Sequence, residues 1–188
     1  MPMTSARPAS SFSVCVFSGS KPGARPCYLE TATALGRAMA RRRITLVYGG
    51  ANCGLMGALA NAALADGGRV VGVMPQGLVD LEKAHRGLGE LIITADMHTR
   101  KARMAGLADA FLALPGGYGT LEELFEVVTW GQLGLHRKPV GLLDSGGYWD
   151  GLLAFLAHAR GEGFVPDSAW AELPCCADPD GILDRIVG

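Results

Sequence analysis

Two glutamates stand at the end of a glycine-rich turn in this sequence. The segment Leu114-Pro115-Gly116-Gly117-Tyr118-Gly119-Thr120-Leu121-Glu122-Glu123 places three glycines in four positions between an apolar run and a helical pattern. A strand, a glycine loop and a helix N-terminus in that order can seat a phosphate. The glycines let backbone N–H groups approach the anion, and the helix dipole favours negative charge. No Gly-Lys-Ser/Thr ending and no GxGxxG spacing is present, so a single phosphate is the natural fit and a dinucleotide is not favoured. An ordinary tight turn would read the same way. The carboxylates also have two readings. They can activate water or stabilise a positively charged sugar. Thr120-x-x-Glu123 equally has the spacing of a capping box, which would occupy Glu123 at the helix end and leave Glu122 freer.

A cation stands ready to join them. In Asp96-Met97-His98-Thr99-Arg100-Lys101, a helix opens whose apolar face carries Met97, Met104 and Ala108. Arg100 falls on that same side, where a guanidinium must snorkel or meet an anion. Phosphate, Glu122 or Glu123 would serve. A second strand-to-helix loop, Tyr48-Gly49-Gly50 to Gly57, either walls a ligand through Gly49 and Gly50 or allows close helix packing. Ser18-Gly19-Ser20 closes the first strand and offers the Ser18 and Ser20 hydroxyls and an open backbone near the same edge. The five cysteines, Cys15, Cys27, Cys53, Cys175 and Cys176, lack CxxC spacing, and the four histidines show no metal-like pairing. They fit free thiols in a reducing cytoplasm, with no metal site. Adjacent Cys175 and Cys176 read as two small buried residues.

The elements that must position these groups alternate along the chain. Apolar, β-branched runs at 12–17, 44–48, 70–74, 91–94, 111–114 and 140–143 read as strands. Helical patterns fall at 26–42, 54–65, 96–107, 120–133 and 148–159, with a short helix at 178–187. Leu121, Leu124, Phe125 and Val128 form the expected core face of the fourth helix. Continuous apolar strands separated by helices specify an α/β fold: a Rossmann-like, doubly wound parallel sheet with helices on both faces, in a single domain. Ligands of such sheets bind beyond the carboxyl ends of the strands, where Ser18–Ser20, Tyr48–Gly50, Met74-Pro75 and Pro115–Gly117 lie. Residues 1–11 read as a flexible tail, 12–165 as the domain and 166–188 as its C-terminal extension.

Composition limits the partners. The chain has 188 residues, of which 49% are hydrophobic and 19% charged, so a disordered chain is excluded. Lys+Arg is 17 against Asp+Glu 18, giving a net charge of -1 and no basic excess for nucleic acid. Apolar runs are strand-sized, so no membrane span is expected.

The motifs resemble one family. Pro115-Gly116-Gly117-Tyr118-Gly119-Thr120-Leu121-Glu122-Glu123 matches the PGGxGTxxE motif of the LONELY GUY (LOG) family, and Met97-His98-Thr99-Arg100-Lys101 resembles its Met-His-x-Arg-Lys segment. Tyr48-Gly49-Gly50 to Gly57 and Thr129-Trp130-x-Gln132-Leu133-Gly134 are also similar, and the likeness runs from about Ser13 to Val165. The resemblance implies a Rossmann-like homodimer that hydrolyses the N-glycosidic bond of nucleoside 5'-monophosphates, releasing free base and ribose 5-phosphate. Cytokinin riboside 5'-monophosphates and AMP are the substrates implied, with no metal or organic cofactor. By the same resemblance Arg100, Glu122 and Glu123 are catalytic, and Gly116, Gly117, Tyr118, Gly119 and Thr120 hold the phosphate. Lys101, Glu82 and Thr129 belong to the substrate site, and Met97, with Leu78 and Val79, walls the base. Members were often labelled lysine decarboxylases, which would need a pyridoxal phosphate lysine. Of Lys21, Lys83, Lys101 and Lys138, only Lys101 falls near the glycine loop in this reading. The alternative is a non-catalytic carrier of a nucleotide or of molybdenum cofactor.

Overall fold

Every apolar run that reads as a strand becomes one; five of the six strands are buried along their length, and the one at 90–94 lies at the sheet edge with Ile93 exposed. The computed structural model describes residues 12–79, 81, 84–167 and 173–188; the tail 1–11, Glu82, Lys83 and part of the expected extension, 168–172, lie outside the described residues. The strands are β1 (Ser13–Phe17), β2 (Thr45–Tyr48), β3 (Val70–Pro75), β4 (Glu90–Thr94), β5 (Ala110–Ala113), β6 (Val140–Leu143) and β7 (Cys175–Cys176). The helices are α1 (Cys27–Arg41), α2 (Gly54–Ala65), α3 (Met97–Leu107), α4 (Tyr118–Gln132), α5 (Asp150–Gly161) and α6 (Pro179–Val187).

The pleat divides the core in two. Successive strand residues point to opposite faces. Val14 and Val16 of β1 pack with Leu35 and Met39 of α1, Leu55 and Leu59 of α2, and Ile182, Leu183 and Ile186 of α6. Cys15 and Phe17 face the other way, onto Met104 of α3, Leu124 and Val127 of α4, and Trp149 just before α5. Leu35, Met39 and Leu59 are fully buried, each stabilising the fold by roughly 1.5–3 kcal/mol.

All strand pairs are parallel, in the order β4-β3-β2-β1-β5-β6-β7. The chain builds outward from β1 on one side, then returns to β1's other edge with β5. The reversal opens a crevice beyond the carboxyl ends of β1 and β5, where an open α/β sheet binds ligands. The two loops that leave these ends touch: Gly19 N donates to the Pro115 carbonyl at 3.0 Å.

Three local features differ from the sequence expectation. Helix α4 starts at Tyr118, two residues early, with Gly117 at its N-cap and no side-chain cap. Thr120 is therefore the third helical residue and is buried, so the capping box with Glu123 does not form. On α4, Leu124 and Val127 are buried, while Leu121, Phe125 and Val128 are only partly so. Cys175 and Cys176 form β7, half-buried at the sheet edge, with Cys175 opposite Leu142 and Cys176 opposite Leu143. A two-residue strand carries no periodicity to read.

Candidate active site

A cleft of about 480 Å³ lies at the crevice, lined by the loops after β1, β5 and β6 and by the first turns of α2, α3 and α4. That volume suits a small organic ligand. Of the residues singled out from sequence, Ser20, Met97, Arg100, Gly116, Gly117, Tyr118, Gly119, Glu122 and Glu123 line it.

Arg100 is placed by its helix start. Asp96 caps α3, its carboxylate accepting from Thr99 N at 2.7 Å. That backbone bond holds the Asp96 carboxyl below its ordinary value. One turn on, the Arg100 side chain reaches back over the sheet. Its Nε donates to the Val73 carbonyl at 3.0 Å and its Nη1 to Glu123 Oε1 at 3.0 Å. The two side chains are 9% and 12% exposed. Such a desolvated, hydrogen-bonded pair is strongly oriented. It sits over the face of β1 that carries Cys15. Burial pushes that thiol's pKa well up, and the Glu123 charge adds to the shift.

The glutamates separate clearly. Glu123 is held by Arg100 in the cleft, whereas Glu122 is 52% exposed and accepts a hydrogen bond from Lys101 Nζ. Lys101 also donates to Glu126 Oε1 at 3.0 Å. It lies outside the cleft lining, beside α4. Its hydrogen bonds, to Glu122 above all, hold its pKa above the ordinary lysine value. A Schiff-base lysine must be neutral to attack, so Lys101 does not fit pyridoxal phosphate. Lys138 is also engaged, donating to the Ala105 carbonyl at 2.7 Å.

The two glycine loops do different things. Leu55 N, in the first turn of α2, donates to the Gly19 carbonyl at 3.0 Å, as does Met56 N at 3.4 Å. The N-terminus of α2 is thereby spent on the β1 loop. Gly49 makes room for Arg100, since a Cβ there would collide with Nη2. Gly50 packs against β3 and Leu91, and its carbonyl accepts from His85 N at 2.9 Å. Neither Gly49 nor Gly50 lines the cleft. The N-terminus of α4, in contrast, opens into it: Gly117, Tyr118 and Gly119 line the cleft, and no side chain caps the helix. First-turn N–H groups have no intrahelical acceptor. Thr120 lies beneath the loop against Gly116. Thr129 is exposed farther along α4, away from the cleft.

From the second glycine loop, Leu55 and Met56 line the cleft. Two cleft residues escaped the sequence reading: Tyr28 and Tyr148 line it, and Tyr148 Oη donates to the Gly116 carbonyl. The signal for Tyr148 was present: Ser145-Gly146-Gly147 follows β6 and is one more glycine-rich strand end. Ser18 lines the cleft with its hydroxyl buried and without a hydrogen-bond partner among the described residues.

Comparison with known proteins identifies the chain's relatives. The family described as "Possible lysine decarboxylase" matches residues 56–186. The chain is 51% identical over 175 residues to a cytokinin riboside 5'-monophosphate phosphoribohydrolase of Rhodococcoides fascians, covering 93% of this chain and 88% of that protein. It is 54% identical over 156 residues to cytokinin riboside 5'-monophosphate phosphoribohydrolase LOG7 of Arabidopsis thaliana, covering 83% of this chain and 72% of that one. Among solved structures, the molybdenum cofactor binding protein of Rippkaea orientalis superposes with a TM-score of 0.70 at 22% identity, over 95% of this chain and 97% of that one. At that identity the likeness is one of fold. On the sequence relatives and the family match together, the chain belongs to the LONELY GUY family, to which the lysine decarboxylase description has also been attached.

Proposed function

We propose that this protein hydrolyses the N-glycosidic bond of nucleoside 5'-monophosphates, cytokinin riboside 5'-monophosphate or AMP, to free base and ribose 5-phosphate. The observation that carries the reading is that the Arg100–Glu123 pair and an uncapped helix N-terminus line one cleft. The N–H groups of Gly117 to Thr120 receive the 5'-phosphate. The base lies toward Met97, Leu55, Met56 and Leu78. The ribose then spans the gap, with C1' near Glu123. As the C1'–N bond breaks, positive charge builds on the sugar, and the Glu123 carboxylate stabilises it. Water adds to C1' and gives its proton to that carboxylate. The departing base nitrogen takes that proton from Glu123, so the base leaves neutral and the carboxylate is ionised again. Arg100 keeps Glu123 ionised and aimed. Lys101, from outside the cleft, ties Glu122 to Glu126 along the first turns of α4.

The extra carboxylates favour an enzyme over a carrier, since a site built only to hold an anion has little use for them. Purified protein incubated with AMP, and separately with isopentenyladenosine 5'-monophosphate, is expected to release free base from the monophosphates and not from adenosine. Tight binding with no base released from either would overturn the reading in favour of a carrier.

The same reading includes a homodimer in the cytoplasm. Leu133 and Leu135 are 67% and 70% exposed at the end of α4, beside half-buried Trp130, and a second copy would cover them. Light scattering of the purified chain tests this. No helix among the described residues is long and apolar enough to cross a membrane.

A further inference from the structure

The geometry points to Tyr148 as the positioning residue that turns the Gly116–Gly117 peptide into an anion receptor; this rests on the phosphate seat proposed above. Three different elements pin the glycine loop. Gly19 N holds the Pro115 carbonyl at 3.0 Å, from the β1 side. The Thr120 side chain fills the space where a Cβ of Gly116 would stand, from below. Tyr148, from the loop after β6, donates its phenol to the Gly116 carbonyl. That last contact sets the sign of the peptide dipole at the cleft. The peptide is planar and trans, so its C=O and the N–H of Gly117 point in opposite directions. With the carbonyl bound to the phenol, its partial negative charge is neutralised and its direction fixed. The Gly117 N–H then takes the other direction. Without the phenol, a glycine peptide can rotate and present its oxygen to the phosphate, which repels it.

The ring itself is braced. Tyr148 packs edge-on against Tyr28 at 5.8 Å between centroids and against Trp149 at 5.0 Å. Arg25 lies over the Tyr28 ring at 4.8 Å and donates to the Tyr28 hydroxyl and to the Gly146 carbonyl. The phenol therefore stands on a fixed wall, and Tyr148→Phe keeps that wall while removing only the donor.

The experiment compares wild type with Tyr148→Phe on three readouts. These are the KM and kcat for AMP, the affinity for ribose 5-phosphate by calorimetry, and the affinity for adenosine. The expected result is about a tenfold rise in KM and a similar loss of ribose 5-phosphate affinity. The kcat stays within about twofold and adenosine affinity is unchanged, as the loss of one hydrogen bond predicts. Equal ribose 5-phosphate affinity in the two proteins would overturn the proposal, and so would parallel losses for adenosine and the phosphate ester. Failure of the hydrolase reading looks different: wild type binds ribose 5-phosphate but releases no base, and Tyr148 is then judged on binding alone. A wild-type protein that binds no ribose 5-phosphate would overturn both.

Discussion

Gly49 and Arg100 occupy one space between them: a Cβ on Gly49 would displace the Nη2 end of the guanidinium that holds Glu123. The backbone of Gly49 has no positive φ, so alanine is tolerated there by the main chain. Gly49→Ala is therefore a test of alignment. It is expected to lower kcat by about ten- to a hundredfold, the scale of a misplaced catalytic group. Thermal stability should fall as well, because the displaced guanidinium belongs to a buried, hydrogen-bonded ion pair. Steady-state kinetics beside a melting curve checks both halves.

The unequal surroundings of the two glutamates give a second prediction. Glu123→Gln is expected to reduce kcat by about 10²–10⁴ with modest change in KM. Glu122→Gln should leave kcat within about threefold, since that half-exposed side chain meets Lys101 and not Arg100. Equal losses in the two variants would remove the distinction drawn here between them.

Ser18 offers a test with opposite signs on stability and function. Its buried hydroxyl has no hydrogen-bond partner among the described residues, so Ser18→Ala should hold or slightly raise the melting temperature. The same hydroxyl lines the cleft, and KM for AMP should rise about three- to tenfold. A variant with lower stability and unchanged KM would make Ser18 an ordinary strand-end residue.

Acid should loosen the arginine's helix. The Asp96 carboxyl lies below its ordinary value of 3.8, chiefly because Thr99 N–H donates to it. A group depressed in the folded state contributes stability above its unfolded pKa and loses it as pH falls through the folded one. Asp96→Ala should therefore be less stable than wild type at neutral pH. The difference should shrink as pH drops below 3.8 and through the folded value. Urea melts across that window measure it.

Most of the sheet was legible because buried parallel strands are unbroken apolar runs, and six of them announce themselves in this way. The pairing of Arg100 with a carboxylate was legible for a related reason. A charge on an apolar helix face needs an anion, and Glu123 was one of the candidates. What failed was local. The capping-box spacing at Thr120 and Glu123 was real, but helix α4 starts two residues earlier. Gly117, Tyr118 and Gly119 can enter the helix without a polar side chain to announce it. The roles of Gly49 and Gly50 were open because a glycine marks closeness without saying what comes close; here it is a guanidinium and a neighbouring strand. Tyr148 lies some thirty residues beyond the motif it serves, and only the sheet order brings β6 beside β5.

One edge of that sheet carries a chemical consequence. In β7, Cys175 packs into the core on the α3–α5 side and Cys176 into the core on the α1–α2 side. Neighbouring residues of a paired strand face apart, so the two sulfurs are separated by the sheet itself. Burial raises the Cys175 thiol to about 11, leaving it protonated near neutrality. A trivalent arsenical, which grips sulfurs that converge, has nothing to chelate here until β7 peels away from Leu142 and Leu143. Uptake of such a reagent would time the fraying of that edge.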